Sequence, residues 1–417
     1  MSAADLLRDR PALRRILPPP WRSWAAGGGA EVLLRIALVR LIHTLASRLP
    51  VQDRIVLATS HGAALGGNLA AIRAELARRG AAVRVVVLAS APRRGARGRV
   101  AAALASMRGA FHLATSRVLI VDDYFFPIYV VTPRRGTHVV QTWHAAGALK
   151  KMGRSLGGKT FGGGPALRAR VPIHANYEIC LVSSSRFVDA YADAFGLARD
   201  RFVSSIGLPR TDILFGDAAT GAERRVRERY GIGRDRTVIL YAPTFRGDNA
   251  ADAEPGPLLD LPLLRTMLGP DHLVLLRLHP FVRARVELEP ELRGFVIDVS
   301  NHREINELML VSDLLVTDYS SAIFEFAILE RPIGLFAPDL AAYERERGFY
   351  SDYRTAVPGP VFETTADLAA WIRRGVFDLD RVRSFRDASF DVLDGAASAR
   401  FVERVAVPLL RDRAVIA

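Results

Sequence analysis

The stretch Val311–Phe336 reads V-S-D-L-L-V-T-D-Y-S-S-A-I-F-E-F-A-I-L-E-R-P-I-G-L-F, and it spells a complete strand–helix–strand unit. Leu314–Thr317 is a short apolar run of the kind that forms a buried parallel strand. Asp318, Ser320 and Ser321 follow, all residue types that cap helix N-termini. Ile323, Phe324, Ala327 and Ile328 then recur at helical spacing. Arg331-Pro332 stops the helix, and Ile333–Phe336 is the next strand. Such units lay their strands in parallel and cover both sheet faces with helices. The turn after Thr317 presents free backbone N–H groups at a positive helix end, where phosphate binds. An ordinary structural cap gives the same pattern, so the rest of the chain has to decide.

The alternation runs through the chain. Arg54–Thr59, Val83–Ala89, Arg117–Val121, His138–Trp143 and Ile179–Val182 read as strands, with Tyr124–Thr132 continuing the pattern. Helical patterns cover Asn68–Arg79, Ala101–Gly109 and Phe187–Phe195. Gly216–Glu228 turns polar, which predicts a hinge or domain boundary. Strands then return at Val238–Ala242, Leu273–Leu278 and Phe295–Asp298. Helices follow the same logic at Leu258–Met267, Ile305–Leu310, Leu368–Arg374 and Ala396–Leu410. At 417 residues the chain exceeds one ordinary core. The expectation is an α/β protein of two Rossmann-like domains with an interdomain cleft. Residues 1–49 form a basic arm and amphipathic helix, 50–215 the first domain and 216–417 the second.

Charge narrows the partners. The formal net charge is +13, which points to a polyanion: nucleic acid, an acidic membrane surface or a phosphate-rich substrate. A coding bias towards Ala and Arg would contribute to the same excess. No helix-turn-helix or aromatic–basic interleaving supports nucleic acid, which leaves it the weakest of the three. The single cysteine, Cys180, excludes an intrachain disulfide and a thiolate metal cluster, and fits a reducing compartment. No carboxylate cluster marks a metal site, and no cofactor is implied. No segment is long and clean enough to span a bilayer. Val32–Leu49, broken by Arg35, Arg40, His43 and Arg48, reads as a basic amphipathic helix that lies on an anionic membrane or packs on its own domain.

Polar clusters end several of these strands. Gly153–Thr160 satisfies G-x-x-x-x-G-K-[ST], but no strand precedes it and Phe161–Pro165 cannot open a helix, so it is no phosphate loop. Gln141-Thr142-Trp143-His144 closes an apolar strand and leads into Ala145, Ala146, Gly147, Ala148, Leu149, Lys150 and Lys151. Small residues admit a ligand close to backbone, and a histidine at such an edge can act as a general base. Gly207–Asp212 presents Arg210; Tyr241–Arg246 carries Pro243, Thr244 and Arg246; Arg277, Leu278 and His279 follow the strand at Leu273. In open α/β sheets ligands bind beyond the carboxyl ends of strands. Together these groups describe a phosphate-binding cleft with acid/base candidates.

The motifs Q-T-W-H-x-x-G-x-L-K-K-x-G, G-L-P-R-x-D, Y-A-P-T-F-R, R-L-H-P and D-V-S-x-x-x-x-I-N-E-L-M-L-V-S-D-L-L-V-T-D-Y-S-S-x-x-F-E-F-A resemble the CDP-glycerol:poly(glycerophosphate) glycerophosphotransferase family. That family contains wall teichoic acid primases and polymerases and related capsule polymerases, and the resemblance spans residues 50–355. It implies a GT-B-like fold whose second domain holds most of the donor. It implies His144 as the base that activates the acceptor hydroxyl, and His279 beside the donor phosphates. His144, Ala145, Ala146, Gly147, Ala148, Lys150, Arg210, Pro243, Thr244, Arg246, Arg277, Leu278, His279, Asp318, Ser320, Ser321 and Glu325 would line the CDP-alditol. Two departures stand out: Trp143–Lys150 is one residue longer than W-H-G-T-P-L-K, and Glu325 stands where polymerases often have Asp.

The expected activity is transfer of glycerol phosphate, or another alditol phosphate, from CDP-glycerol or CDP-ribitol to a hydroxyl. The acceptor would be a polyol-phosphate or lipid-linked glycan, met at the cytoplasmic face of the cell membrane, to which the protein is peripherally attached. A GT-B glycosyltransferase using a nucleotide sugar is the second reading.

Overall fold

The computed structural model describes residues 29–411 except 61, 81–82, 91–94, 158–170, 248–252 and 283–288. The arm at 1–28 and the Gly-Lys-Thr run with its following glycines lie outside the described residues.

Two six-stranded sheets organise the molecule. The first comprises β1 (Gln52–Thr59), β2 (Arg84–Ala89), β3 (Ser116–Val121), β4 (His138–Gln141), β5 (Ile179–Leu181) and β6 (Phe202–Val203), in the order β2-β1-β3-β4-β5-β6. The second comprises β7 (Thr237–Tyr241), β10 (His272–Leu276), β11 (Val296–Asp298), β12 (Leu314–Thr317), β13 (Ile333–Phe336) and β14 (Val361–Phe362), in the order β11-β10-β7-β12-β13-β14. Between β7 and β10 a small antiparallel ribbon pairs β8 (Phe245–Arg246) with β9 (Glu254–Pro255). Every pairing within the two large sheets is parallel. The continuous apolar runs follow from this, because a central parallel strand is covered on both faces. Val118–Val121 and Leu314–Thr317 are buried throughout.

The polar run expected to be a hinge or domain boundary falls between the two sheets and is helical. Gly216–Tyr230 is a 15-residue helix, closed by Gly231 in the left-handed conformation. Only Ala222 and Val226 are buried on it, so a one-residue-wide apolar stripe at spacing four was enough to dock it. The chain also crosses back at its end: Val405, Ala406 and Leu409 join the core that contains Ile55 and Leu57. The backbone N–H groups of Ala397 and Ser398 donate to the carboxylate of Asp212 at 2.9 and 2.7 Å.

The helix Gly29–Ala46 packs on its own lobe through its arginines. Arg35 donates to Ser106 Oγ at 2.8 Å and lies 4.1 Å over Phe126, and Arg40 donates to the Val130 carbonyl at 3.0 Å. Val39 is buried, whereas Leu34, Leu41 and Leu45 are at least half exposed. Among the described residues no helix is long and apolar enough to cross a membrane.

Candidate active site

The carboxyl ends of adjacent strands in both sheets face one another. From the first sheet, β3 delivers Asp122 and Asp123, and its neighbour β4 delivers Trp143 and His144. From the second, β10, β7 and β12 lie side by side and deliver Arg277–His279, Pro243–Arg246 and Asp318–Ser321. In each lobe these residues leave neighbouring parallel strands at their carboxyl ends, where open α/β sheets bind ligands.

The turn carrying His144 is held in an uncommon conformation. Trp143 has φ +53°, a left-handed value that a bulky residue rarely adopts. Gln141 clamps it, accepting the Trp143 N–H at 2.8 Å and donating to the Asp123 carbonyl at 3.2 Å. Asn68 donates to the carbonyls of Thr142 and Trp143 at 3.0 and 2.9 Å, and its oxygen accepts the Arg210 N–H at 2.9 Å. His144 itself is half-buried, with Nδ1 3.3 Å from the Asp122 carbonyl and 3.7 Å from Asp123 Oδ1. A carbonyl can only accept, so Nδ1 carries a hydrogen, and in the neutral ring Nε2 then keeps its lone pair. That is the arrangement a general base requires.

Arg210 joins the two lobes. Its guanidinium donates to the His144 carbonyl, while Nε sits 3.1 Å from Glu325 Oε1 without hydrogen-bond geometry. Asn306 donates to the Arg210 carbonyl at 3.1 Å. Glu325 is buried, which pushes its carboxyl up, and Arg210 partly offsets this. Arg277 donates to the Arg303 carbonyl at 3.3 Å, but its Nε is buried with no partner. Burial lowers its pKa to about 10; Glu304 works against that and the charge of Arg210 adds to it. Glu304 in turn accepts the Gly67 N–H across the cleft at 3.3 Å.

His279 lies between Phe245 and Phe281, with ring centroids 4.7 and 4.8 Å away. The Phe281 N–H donates to its Nδ1 at 3.2 Å, which leaves the hydrogen on Nε2. His279 is thus set as a donor and His144 as an acceptor. Nearby, Thr244 donates to Asp318 through its backbone N–H and its hydroxyl, at 2.8 and 2.9 Å. Arg246 binds Asp318 at 3.0 Å and Asp339 at 2.7 Å. Asp318 and Arg246 are therefore turned into the second lobe and engaged with one another. Burial raises the Asp318 carboxyl, opposed by Arg246 and Thr244. Pro243 and Leu278 are buried, and Ser300 accepts the Leu278 N–H at 3.0 Å. Ser320 and Ser321 are partly exposed; Ser320 Oγ accepts the Ala322 N–H at 3.2 Å.

The loop after His144 packs under the second lobe. Tyr191 donates to the carbonyls of Ala145 and Gly147, and Ser183 to that of Ala146. Ala146 and Ala148 are buried, and Gly147 lies against the Phe324 ring, where a Cβ would overlap it. Lys150 pairs with Phe349 in an isolated bridge and reaches over Tyr343. Asn68, Gln141, Asp122, Asp123 and Glu304 are the residues that sequence reasoning missed. The two aspartates carried a signal, because they directly follow the apolar strand Arg117–Val121. The others are defined only by tertiary contacts. Among the described residues no group of three His, Cys, Asp or Glu could hold a metal ion.

Comparison with known proteins gives the family and the fold. A family model described as CDP-Glycerol:Poly(glycerophosphate) glycerophosphotransferase matches residues 41–407. The chain is 35% identical over 363 residues to a teichoic acid ribitol-phosphate primase of Bacillus spizizenii, covering 86% of this chain and 92% of that protein. It is 38% identical over 304 residues to a teichoic acid poly(ribitol-phosphate) polymerase of the same organism, covering 72% of this chain but only 48% of that one. The chain thus spans about half the length of that polymerase and nearly all of the primase. In fold it is similar to the wall teichoic acid polymerase TagF, with TM-score 0.75 at 22% identity over 95% of this chain and 99% of the other. The two facing parallel sheets are the GT-B-like plan, and the chain belongs to the CDP-glycerol:poly(glycerophosphate) glycerophosphotransferase family of transferases.

Proposed function

We propose that this protein transfers an alditol phosphate from a CDP-alditol to a hydroxyl of a polyol-phosphate or lipid-linked acceptor and releases CMP. The observation that carries this reading is the arginine pair. Arg277 is buried with an unmet Nε, and as a cation it is destabilised by that burial first and by Arg210 in addition. Arg277 follows β10 two residues before His279, and Arg210 reaches from the first lobe to Glu325 in the second. A diphosphate placed there would meet both charges, and charge-assisted hydrogen bonds to phosphate are the strong kind.

In the proposed reaction Nε2 of His144 takes the proton of the acceptor hydroxyl. The oxygen attacks the phosphorus that bears the alditol, a new P–O bond forms, and the bond to the bridging diphosphate oxygen breaks. CMP leaves with that oxygen, which accepts a hydrogen bond from Nε2–H of His279. Arg210, Arg277 and the N–H groups beside Ser320 and Ser321 neutralise charge on the transferring phosphate. Residues 50–215 serve as the acceptor side, and the second lobe, whose chain returns to the first at residues 405–409, holds the donor. Asp318 and Arg246 support that second side from within rather than touching the donor. The relatives are named for ribitol phosphate and for glycerol phosphate, so the donor is one of these two alditols. Peripheral attachment to an anionic membrane at its cytoplasmic face belongs to the same proposal and rests on the +13 charge and the leucines of Gly29–Ala46.

Calorimetric titration of purified protein with CDP-glycerol, CDP-ribitol and a UDP-sugar tests the reading. Selective binding of one CDP-alditol is expected. Binding of the UDP-sugar alone would leave the fold standing and overturn the function.

A further inference from the structure

Behind the His144 turn the first lobe contains a cavity of about 460 Å³, bounded by Tyr124, Gly153, Arg154, His174, Asn176 and Phe195 among others. His174 is fully buried there, stacked on Phe195 at 4.0 Å and in ring contact with Tyr124 at 4.9 Å and Trp143 at 5.6 Å. Its Nδ1 lies 3.4 Å from the Tyr177 hydroxyl, which lies 2.6 Å from that of Tyr129. Its Nε2 is buried and has no hydrogen-bond partner. An unmet buried polar nitrogen is costly in either tautomer, and a hydroxyl satisfies both because it donates and accepts.

Three further observations mark the cavity as built. Trp143, His174 and Asn176 have φ of +53°, +69° and +70°, and only Glu330 shares that property among the other described non-glycine residues. Clustered backbone strain of this kind belongs to functional sites. Gly153, at φ +53°, runs beside His174 Cδ2 at the edge that bears Nε2, where a Cβ would press to 3.2 Å. Gly196 leaves the room that the Arg154 guanidinium occupies, placing an exposed cation among the cavity's walls. Finally, Tyr124 touches Trp143 at 5.6 Å, and Trp143 lies against His144 at 4.5 Å. The cavity is one indole away from the base.

We propose that this cavity binds the polyol-phosphate end of the acceptor, one unit behind the hydroxyl that reacts at His144; the assignment rests on the function proposed above. Hydroxyls meet His174 Nε2, the phosphodiester meets Arg154, and the carbon faces of the polyol lie on Tyr124. The probe is glycerophosphoglycerol, two glycerols joined by one phosphodiester, and its binding is followed by saturation-transfer NMR without donor. Wild-type protein should bind it. Arg154→Ala and Tyr124→Ala, both at exposed positions, should each weaken it by about ten-fold or more, as expected for a lost contact to a charged or stacked group. CDP-alditol affinity should stay within about two-fold. Absence of binding to wild type, equal binding by all three proteins, or loss of donor affinity in step with the probe would overturn the assignment. If the probe behaves as expected but no CDP-alditol binds wild type, the cavity stands and the parent reading falls.

Discussion

Nδ1 of His144 faces a carbonyl and Nδ1 of His279 a backbone N–H, so as neutral rings the two carry their hydrogens on opposite nitrogens. The asymmetry suits the different tasks proposed for them, base for one and hydrogen-bond donor for the other. Replacing His144 with Ala should lower transfer by a factor of about 10²–10⁴ while CDP-alditol affinity is retained. Single-turnover rates beside calorimetry separate the two, and wild-type turnover in the variant would remove His144 from the mechanism. A third histidine makes a stability prediction. Burial pushes the pKa of His174 down to about 3, against about 6.5 for an ordinary histidine. Between those values the unfolded chain binds the proton and the folded one does not, so stability falls as pH drops from about 6.5 towards 3. The slope reaches at most about 1.4 kcal/mol per pH unit. His112, lowered to about 4 by burial and by Arg54, adds a second contribution of the same sign. Denaturant titrations between pH 7 and 4 should show a shallower slope for His174→Phe, and an identical slope would place the acid sensitivity elsewhere.

At the scale of elements, the turn after β4 works because its residues are small where the second lobe presses on them. Gly147→Ala would drive a methyl group into Phe324, itself stacked on Phe385 at 5.0 Å. Overpacking of this kind costs about 1–3 kcal/mol. A matching loss in the urea midpoint at unchanged slope is expected, and an unaltered midpoint would show that the lobes part there without cost. The strands were legible because a parallel sheet buries both faces of its central strands and so demands apolar runs; Ile333–Phe336 was bounded to the residue. Capping was less legible. The helix after β12 starts at Ala322, its N-cap Ser321 makes no side-chain cap bond, and Asp318 bonds Thr244 instead. Nothing local could reveal a partner so distant in the chain. The helical character of Gly216–Tyr230 was hidden for the opposite reason: two buried residues suffice to dock a helix that is otherwise polar. The site was legible where a motif ends a strand. It was opaque where Asn68 and Gln141 brace that motif from within, since an amide at the start of a helix or at the end of a strand carries no mark of the two or three bonds it makes.

At the scale of the whole molecule, charge and exposed apolar surface converge on the first helix. Arg35 is spent on Ser106 and Phe126, and Arg40, though exposed, donates to the Val130 carbonyl, so both tie the helix to the lobe. What the helix offers outward is Leu34, Leu41 and Leu45, exposed at 61%, 54% and 50% and spaced seven and four apart on one face. Val100 and Leu104 on Gly95–Thr115, the helix it packs against, are exposed at 60% and 59%. Leucines that face water on neighbouring helices, on a chain of net charge +13, suit an anionic bilayer into which the side chains insert while the bulk charge holds the protein near the surface. Each fully buried leucine side chain would contribute about 1.5–3 kcal/mol, so three of them matter more than any single charge. Deleting the helix would uncover Val39 and the lobe beneath it, so the test keeps the backbone and replaces Leu34, Leu41 and Leu45 with Ser. Co-sedimentation with phosphatidylglycerol vesicles should fall at least about ten-fold for the triple variant, with the melting temperature near that of wild type. Raising salt should weaken the remainder further, because only the electrostatic part is screened. Equal sedimentation of variant and wild type would assign the exposed leucines to another partner and leave the +13 charge as the sole basis for membrane attachment.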